Sequence, residues 1–268
     1  MDLFLLELVK NPDQLRRYAV QRNKTRNTYK VPWNNGWVVV KRPTKYSDYY
    51  SFLRNTILQD ISVSGFCFGD STHFPSSKVL LSEERKKLKL LEEKGFPAPR
   101  VIDSLLDDLI VLEYVEGESV RGVLRREGTV NSNVGGIIAA GTQQLYDLHH
   151  KIGLWHGDTN ISNGIIKGSG KYIWVDYGTI LNTQKRSIEF IMARDLRIYL
   201  HDVSSVVGNP KECVGLVSEV YPSREILNFA YMQIADARMR WIYEGKEAVL
   251  HGRNPLILRE IAEALKGI

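Results

Sequence analysis

The sequence predicts an α+β chain of two lobes, an antiparallel-sheet lobe followed by a mainly helical one, and three observations lead there. Thr28-Tyr29-Lys30-Val31 and Trp37-Val38-Val39-Val40 are β-branched and aromatic runs on either side of Asn34-Asn35-Gly36, a turn sequence that closes hairpins. Past Gly117 the apolar spacing becomes helical, with Val134, Ile137, Ile138, Gly141, Leu145 and Leu148 on one face. Then a run of polar residues and turn formers, His156-Gly157-Asp158-Thr159-Asn160-Ile161-Ser162-Asn163, precedes a strand ending in Val175-Asp176-Tyr177-Gly178. The expected organisation is a leader over 1–27, a sheet lobe over 28–115 with an insert at about 44–80, and a helical lobe over 116–268.

Taken in order, the leader opens on an apolar, helix-like segment (Leu3, Leu5, Leu6, Leu8, Val9) and continues through basic sequence. Ser82 is read as the N-cap of a helix on which Glu84, Leu88 and Leu91 share the inward face, with Glu83 turned about 100° away toward solvent. Leu109-Ile110-Val111-Leu112 is a buried-strand run that turns polar at Glu113-Tyr114-Val115-Glu116-Gly117. His149 and His150 close the helix begun near Val134 and are taken as terminal or packing residues. Asn209-Pro210 and Asn254-Pro255 each pair an N-cap with a first-turn proline, and Gly267 ends the last helix.

The polar run has the residue types of a phosphoryl-transfer centre. That chemistry uses one carboxylate to orient the acceptor hydroxyl and take its proton, and an amide with a second carboxylate to hold Mg²⁺ against the phosphates. Asp158, Asn163 and Asp176 supply those types, and the runs around Gly168-Ser169-Gly170 form the hairpin that joins them. Upstream, Lys41 ends a β-branched strand where a phosphate-contacting lysine belongs, and Glu84 is the partner expected on the following helix. Glu113, Tyr114 and Val115 form the connector whose backbone would receive adenine. A competing reading makes His156 and Asp158 metal ligands of a hydrolase, but no histidine spacing elsewhere completes such a site.

With these motifs in place, the chain resembles the atypical kinases of the protein-kinase-like fold, over roughly residues 19 to 205. The RIO-type kinases, the small kinase of the KEOPS complex and the bacterial lipopolysaccharide core heptose kinases are similar. The resemblance implies ATP and Mg²⁺ as cofactors, Lys41 as phosphate lysine with Glu84 as partner, Asp158 as catalytic base, and Asn163 and Asp176 as metal ligands. It also implies that Asp195, in Ala193-Arg194-Asp195-Leu196, braces the catalytic loop. Three functions follow as expectations: an ATP-dependent kinase of a sugar, lipopolysaccharide-type saccharide or other hydroxyl acceptor; an atypical serine/threonine kinase; or a nucleotide-binding pseudokinase acting through partners.

Two departures stand out. No glycine-rich loop precedes Lys41, so Arg22, Lys24 and Arg26 are the candidates for contacting phosphate, and the long, aromatic-rich interval from Lys41 to Glu84 is the part most suited to a substrate or partner of its own. Between Gly178 and Asp195 there is no A-P-E motif, which favours an atypical acceptor.

Composition agrees with a sizeable core, at 268 residues and 43% hydrophobic content. No apolar run approaches the roughly 18 residues of a membrane span, Asp2 and Glu7 make the start unlike a signal peptide, and Cys67 and Cys213 are too few for a disulfide framework, so a cytoplasmic setting is expected. The net charge of +5, from 36 basic and 31 acidic residues, favours an anionic substrate or partner without indicating nucleic acid. Lys41-Arg42, Arg85-Lys86-Lys87 and Arg121 with Arg125-Arg126 are read mostly as solvated faces.

Overall fold

The computed structural model describes residues 3–23, 27–43, 77–103, 109–179, 187–235 and 256–268. The expectations for the 44–76 stretch, Cys67, Lys24, Arg26, the Arg22 side chain and Asn254-Pro255 lie outside the described residues or side chains. What is described falls into two units, one ending at Val115 and the other beginning at Glu116.

The first unit is built on a five-stranded antiparallel sheet in the order β1-β2-β3-β5-β4. Its strands are β1 (Gln21–Asn23), β2 (Thr28–Trp33), β3 (Gly36–Lys41), β4 (Val101–Asp103) and β5 (Ile110–Glu113). Trp33 pairs with Gly36 across Asn34-Asn35, and Asn34 takes the left-handed conformation (φ 52°) that a tight hairpin needs and asparagine tolerates. Tyr29, Val31, Val38 and Val40 alternate inward along the hairpin and are buried.

The amino-terminal helices α1 (Leu3–Lys10) and α2 (Pro12–Tyr18) belong to this same core. Leu8, Val9 and Leu15 are buried in one cluster with Tyr29, Val31, Val38, Val40 and Val111. Within the segment read as a leader, α1 and α2 therefore cover one face of the sheet while Gln21–Asn23 joins it as β1, and the Arg42 guanidinium fastens α1 further by donating to the Val9 carbonyl.

Helix α3 (Ser77–Glu93) begins earlier than the sequence reading placed it. Ser82 lies within the helix and is not its N-cap, because Val79, Leu80 and Leu81 continue the helical run on its amino-terminal side. The inward face is the expected one, with Glu84, Leu88 and Leu91 each no more than 2% exposed. Glu83 is partly exposed and pairs with Lys86 at 2.6 Å.

The second unit is mainly helical. A three-stranded sheet of β6 (Glu118–Ser119), β7 (Gly164–Ile166) and β8 (Tyr172–Trp174) sits among α4 (Val120–Glu127), α5 (Ser132–Asp147), α6 (Ile188–Val207), α7 (Pro210–Val220), α8 (Arg224–Ala235) and α9 (Ile257–Lys266). The predicted face of α5 is the buried one. The β7–β8 turn closes over Gly168-Ser169-Gly170, with Gly170 left-handed (φ 78°) and its amide bonded to the Lys167 carbonyl at 2.8 Å. Asn209 caps α7 through the Glu212 amide, with Pro210 in the first turn. Among the described residues no helix is long and apolar enough to cross a membrane.

The packing of α1 predicts that Leu8→Ala lowers unfolding free energy by about 2–5 kcal/mol, as large-to-small core substitutions do. Urea denaturation measures it, and a change below about 0.5 kcal/mol, the range of surface substitutions, would contradict the placement of α1 in the core.

Candidate active site

In the sheet unit, Lys41 ends β3 and its Nζ donates to Glu84 Oε1 on α3 at 2.6 Å. The side chains are 13% and 2% exposed, so neither charge is well solvated and each depends on the other. A lysine held this way keeps a fixed direction, as phosphate contact requires.

The connector after β5 is tied down by its backbone. The Glu113 amide donates to the Arg100 carbonyl at 2.9 Å and the Tyr114 amide to the Trp37 carbonyl at 3.3 Å. Lys30 Nζ lies 3.7 Å from the Tyr114 ring centroid and 4.7 Å from that of Trp37, close enough for cation–π attraction to both. With the two preceding amides engaged, Val115 offers the next N–H of the connector.

In the helical unit, the loop from His156 to Asn163 is shaped by buried polar contacts to α6. Asp195, fully buried, accepts the His156 amide at Oδ2 (2.6 Å) and the Gly157 amide at Oδ1 (2.9 Å). Thr159 Oγ1 donates to the Asp195 carbonyl at 2.5 Å, and Arg194 Nη1 donates to the Gly157 carbonyl at 2.6 Å. His149 Nε2 lies 3.3 Å from Asp195 Oδ2, while its Nδ1 meets the Tyr221 hydroxyl at 2.7 Å. His149 sits in a single π-type turn, Leu148–Ile152, that follows α5.

Burial alone would push the Asp195 carboxyl up. The His149 hydrogen bond, with the attraction of the nearby imidazoles of His149 and His156 and of the Arg194 guanidinium, outweighs it and holds the group below its ordinary value.

The ring of His156 is committed at both nitrogens. Nδ1 accepts the Asp158 amide at 3.2 Å, which leaves the proton on Nε2 to donate to the Val175 carbonyl at 3.1 Å. A ring so engaged has no lone pair for a metal, which removes the hydrolase reading, and among the described residues no cluster of three or more metal-ligating side chains occurs. The same ring links the loop to the strand end before Asp176. Gly157 is left-handed (φ 90°), and a Cβ there would lie 2.7 Å from the Thr179 Cβ, so this approach of the two segments requires glycine.

Asn163 Nδ2 donates to the Asp158 carbonyl (2.9 Å) and to Asp158 Oδ2 (3.2 Å). The amide therefore presents Oδ1 outward from that contact. The Asn163 carbonyl accepts the Val175 amide at 2.8 Å, which joins the end of the loop to the segment carrying Asp176. Asp176 itself takes φ 69°, an unusual conformation for a side-chain-bearing residue and one that accompanies functional positions. Asn163 Oδ1 and the Asp176 carboxylate are hard oxygen donors of the kind Mg²⁺ takes, so the residues present fit that ion.

Two participants were missed in the sequence. Asp202, seven residues after Asp195 on α6, accepts the Ile161 amide at 2.8 Å. Arg121, read as part of a solvated cluster, is 14% exposed and pairs with Asp202 at 2.5 Å. The signal available was the i, i+7 spacing of two aspartates in one helix, which puts both on the same face.

A family model described as the RIO domain matches residues 71–205. The span includes Glu84, Asp158, Asn163, Asp176, Asp195 and Asp202, and leaves Lys41 outside it. The serine/threonine-protein kinase RIO2 of Caenorhabditis elegans is 25% identical over 120 residues, which is 45% of this chain. The chain spans about a fifth (21%) of that relative's length. Among solved structures, the complex of Rv3197 with erythromycin from Mycobacterium tuberculosis aligns with a TM-score of 0.38 at 17% identity, over 79% of this chain and 62% of that one. A Leishmania major MAP kinase, LMAMPK10, aligns with a TM-score of 0.39 at 13% identity, over 97% and 80%.

The depressed Asp195 value fixes the sign of an acid effect. Its contribution to stability is complete above the unfolded carboxyl value of about 3.9 and is lost as pH falls through the lower folded value. Tryptophan fluorescence followed from pH 6 downward is expected to show a transition below pH 4 that is displaced or abolished in Asp195→Asn. Superimposable titrations of the two proteins would contradict it.

Proposed function

This chain belongs to the RIO domain family, and we propose that it transfers the γ-phosphoryl group of ATP to a hydroxyl acceptor. The observation that carries this reading is the contact of Asn163 Nδ2 with the Asp158 carboxylate and carbonyl, which fixes a carboxylate and turns an amide oxygen outward within one loop.

Each side chain has one task. Lys41, held by Glu84, meets the ATP phosphates, and the connector Glu113, Tyr114 and Val115 receives adenine, with the Val115 N–H as the donor. Asp158 orients the acceptor hydroxyl and takes its proton as the oxygen–phosphorus bond forms and the bond from the γ-phosphorus to the bridging oxygen breaks, releasing ADP. Asn163 and Asp176 would hold Mg²⁺, which when bound would supply positive charge against the negative charge of the phosphate oxygens. The Asp195 contacts keep the loop in place before substrate arrives, so little reorganisation remains for the reaction itself.

The acceptor favoured first is a serine or threonine hydroxyl, in keeping with the name of the RIO2 relative. A saccharide hydroxyl is the second reading, supported by the short interval from Gly178 to Asp195, which leaves little chain for docking a peptide. A cytoplasmic setting, where ATP and Mg²⁺ are supplied, suits either acceptor.

Asp158→Ala is expected to lower the rate of transfer by about 10²–10⁴-fold, the usual contribution of a positioned base, while ATP affinity changes little. Asp176→Ala is expected to lose Mg²⁺-dependent nucleotide binding as well. Release of labelled ADP, with calorimetric binding of ATP, measures both. Equal turnover of Asp158→Ala and the wild type would overturn the assignment, and binding of Mg-ATP without turnover by the wild type would leave the chain a nucleotide-binding pseudokinase.

A further inference from the structure

Asp195 secures the start of the catalytic loop at His156 and Gly157, but Asn163 lies at its far end. What holds that end is a second set of contacts centred on Arg121, the second residue of α4. Its Nη2 meets both Asp202 oxygens, at 2.6 and 2.5 Å, and Asn160 Oδ1 at 3.0 Å. Its Nε donates to Ser162 Oγ at 2.6 Å. Asp202 in turn accepts the Ile161 amide, and Asn160 Oδ1 accepts the Ser162 amide at 2.9 Å. One guanidinium thus reaches the residues on both sides of Ile161 and the carboxylate that holds Ile161 itself.

The turn so fixed is Ile161–Asn163, a single 3₁₀ turn followed directly by β7. A turn this short has only two backbone bonds of its own, from the Asn163 amide to the Asn160 carbonyl at 2.8 Å and from the Gly164 amide to the Ile161 carbonyl, and cannot set its own orientation strongly. Asp195 and Asp202 lie two helical turns apart on one face of α6, about 10.5 Å along its axis. They grip the loop on either side of Asp158, and in the second grip Arg121 compensates the buried Asp202 charge, whose side chain is 2% exposed.

We propose that Arg121 is a positioning residue that, through Asp202, Asn160 and Ser162, sets the direction of the Asn163 amide and hence the affinity of the site for Mg²⁺. The metal role of Asn163 on which this rests is that of the proposed function. Arginine is required because three acceptors in different directions need a planar fork of donors, which a lysine ammonium on a flexible stem does not reproduce.

The test compares wild type, Arg121→Lys and Arg121→Ala in the full chain. Mg²⁺ dependence of ATP turnover is expected to shift about tenfold or more toward higher Mg²⁺ in Arg121→Lys, with turnover at saturating Mg²⁺ within about threefold of wild type. Nucleotide binding measured with the metal chelated is expected to be unchanged. An unshifted Mg²⁺ dependence in Arg121→Lys and Arg121→Ala would overturn the proposal, as would a loss of turnover that saturating Mg²⁺ does not restore.

Amide hydrogen exchange gives a readout independent of activity. The Ile161 and Ser162 amides are expected to exchange at least tenfold faster in Arg121→Ala, while those of α5 keep their rates. Unchanged exchange at both residues would contradict the positioning role even if the chain transfers no phosphate. Faster exchange in a protein with no wild-type turnover would instead count against the phosphotransferase reading alone. In Arg121→Asn, a variant that keeps a hydrogen-bonding side chain but no charge, the same acceleration is expected; wild-type exchange there would show that Asp202 needs no cation.

Discussion

The carboxylate of Asp195 is fully buried, and the loop from His156 to Asn163 is arranged around it. Two successive backbone amides, those of His156 and Gly157, point at its two oxygens, a geometry that determines the path of the chain into Asp158. An ionised group in such a place is tolerable only because it meets donors, with His149 adding to the two amides, and because the Arg194 guanidinium, which itself donates to the Gly157 carbonyl, lies near enough to attract it. Remove the charge and the two amides face a weaker acceptor; remove the side chain and they face none, at about 1–3 kcal/mol for each buried group left unpaired.

The rest of the helical unit can be understood as support for that arrangement. Helix α6 carries both Asp195 and Asp202, and its other faces are buried against its neighbours, so the two carboxylates are held by the rigid core and not by a loop. His156 passes the constraint onward, accepting the Asp158 amide at Nδ1 and donating from Nε2 to the Val175 carbonyl. Asn163 closes the loop on Asp158 and, through its carbonyl, on Val175. The sheet unit repeats the principle with one pair, where burial of Glu84 makes the Lys41 contact a condition of folding.

Local pattern carried much of this into the sequence. The hairpin of β2 and β3, the buried face of α5, the inward direction of Glu84 and the Asn209-Pro210 helix start depend on neighbours within a few residues, and periodicity or turn chemistry reports such things directly. The inclusion of α1 in the sheet core was not legible, since an amphipathic segment does not say which surface it will cover. The start of α3 was misplaced because Ser82 has the chemistry of a cap but lies within an apolar run that continues the helix. Arg121 and His149 were read as ordinary because their meaning is in partners 81 and 46 residues away, and no local signal encodes such pairings. The resemblance implied that Asp195 braces the loop; that Asp202, seven residues on, would meet a backbone amide of the same loop was not visible.

Asp195 is expected to hold the entrance of the His156–Asn163 loop as rigidly as the core itself. Amide exchange at His156 and Gly157, measured site by site near neutral pH, tests it most directly. Rates limited by global unfolding, equal to those of the buried amides of α6, are predicted for both residues, together with a selective acceleration in Asp195→Asn. Exchange in the native wild type at rates typical of exposed loops would show that the buried carboxylate does not hold the loop, and the account of the site would fail with it.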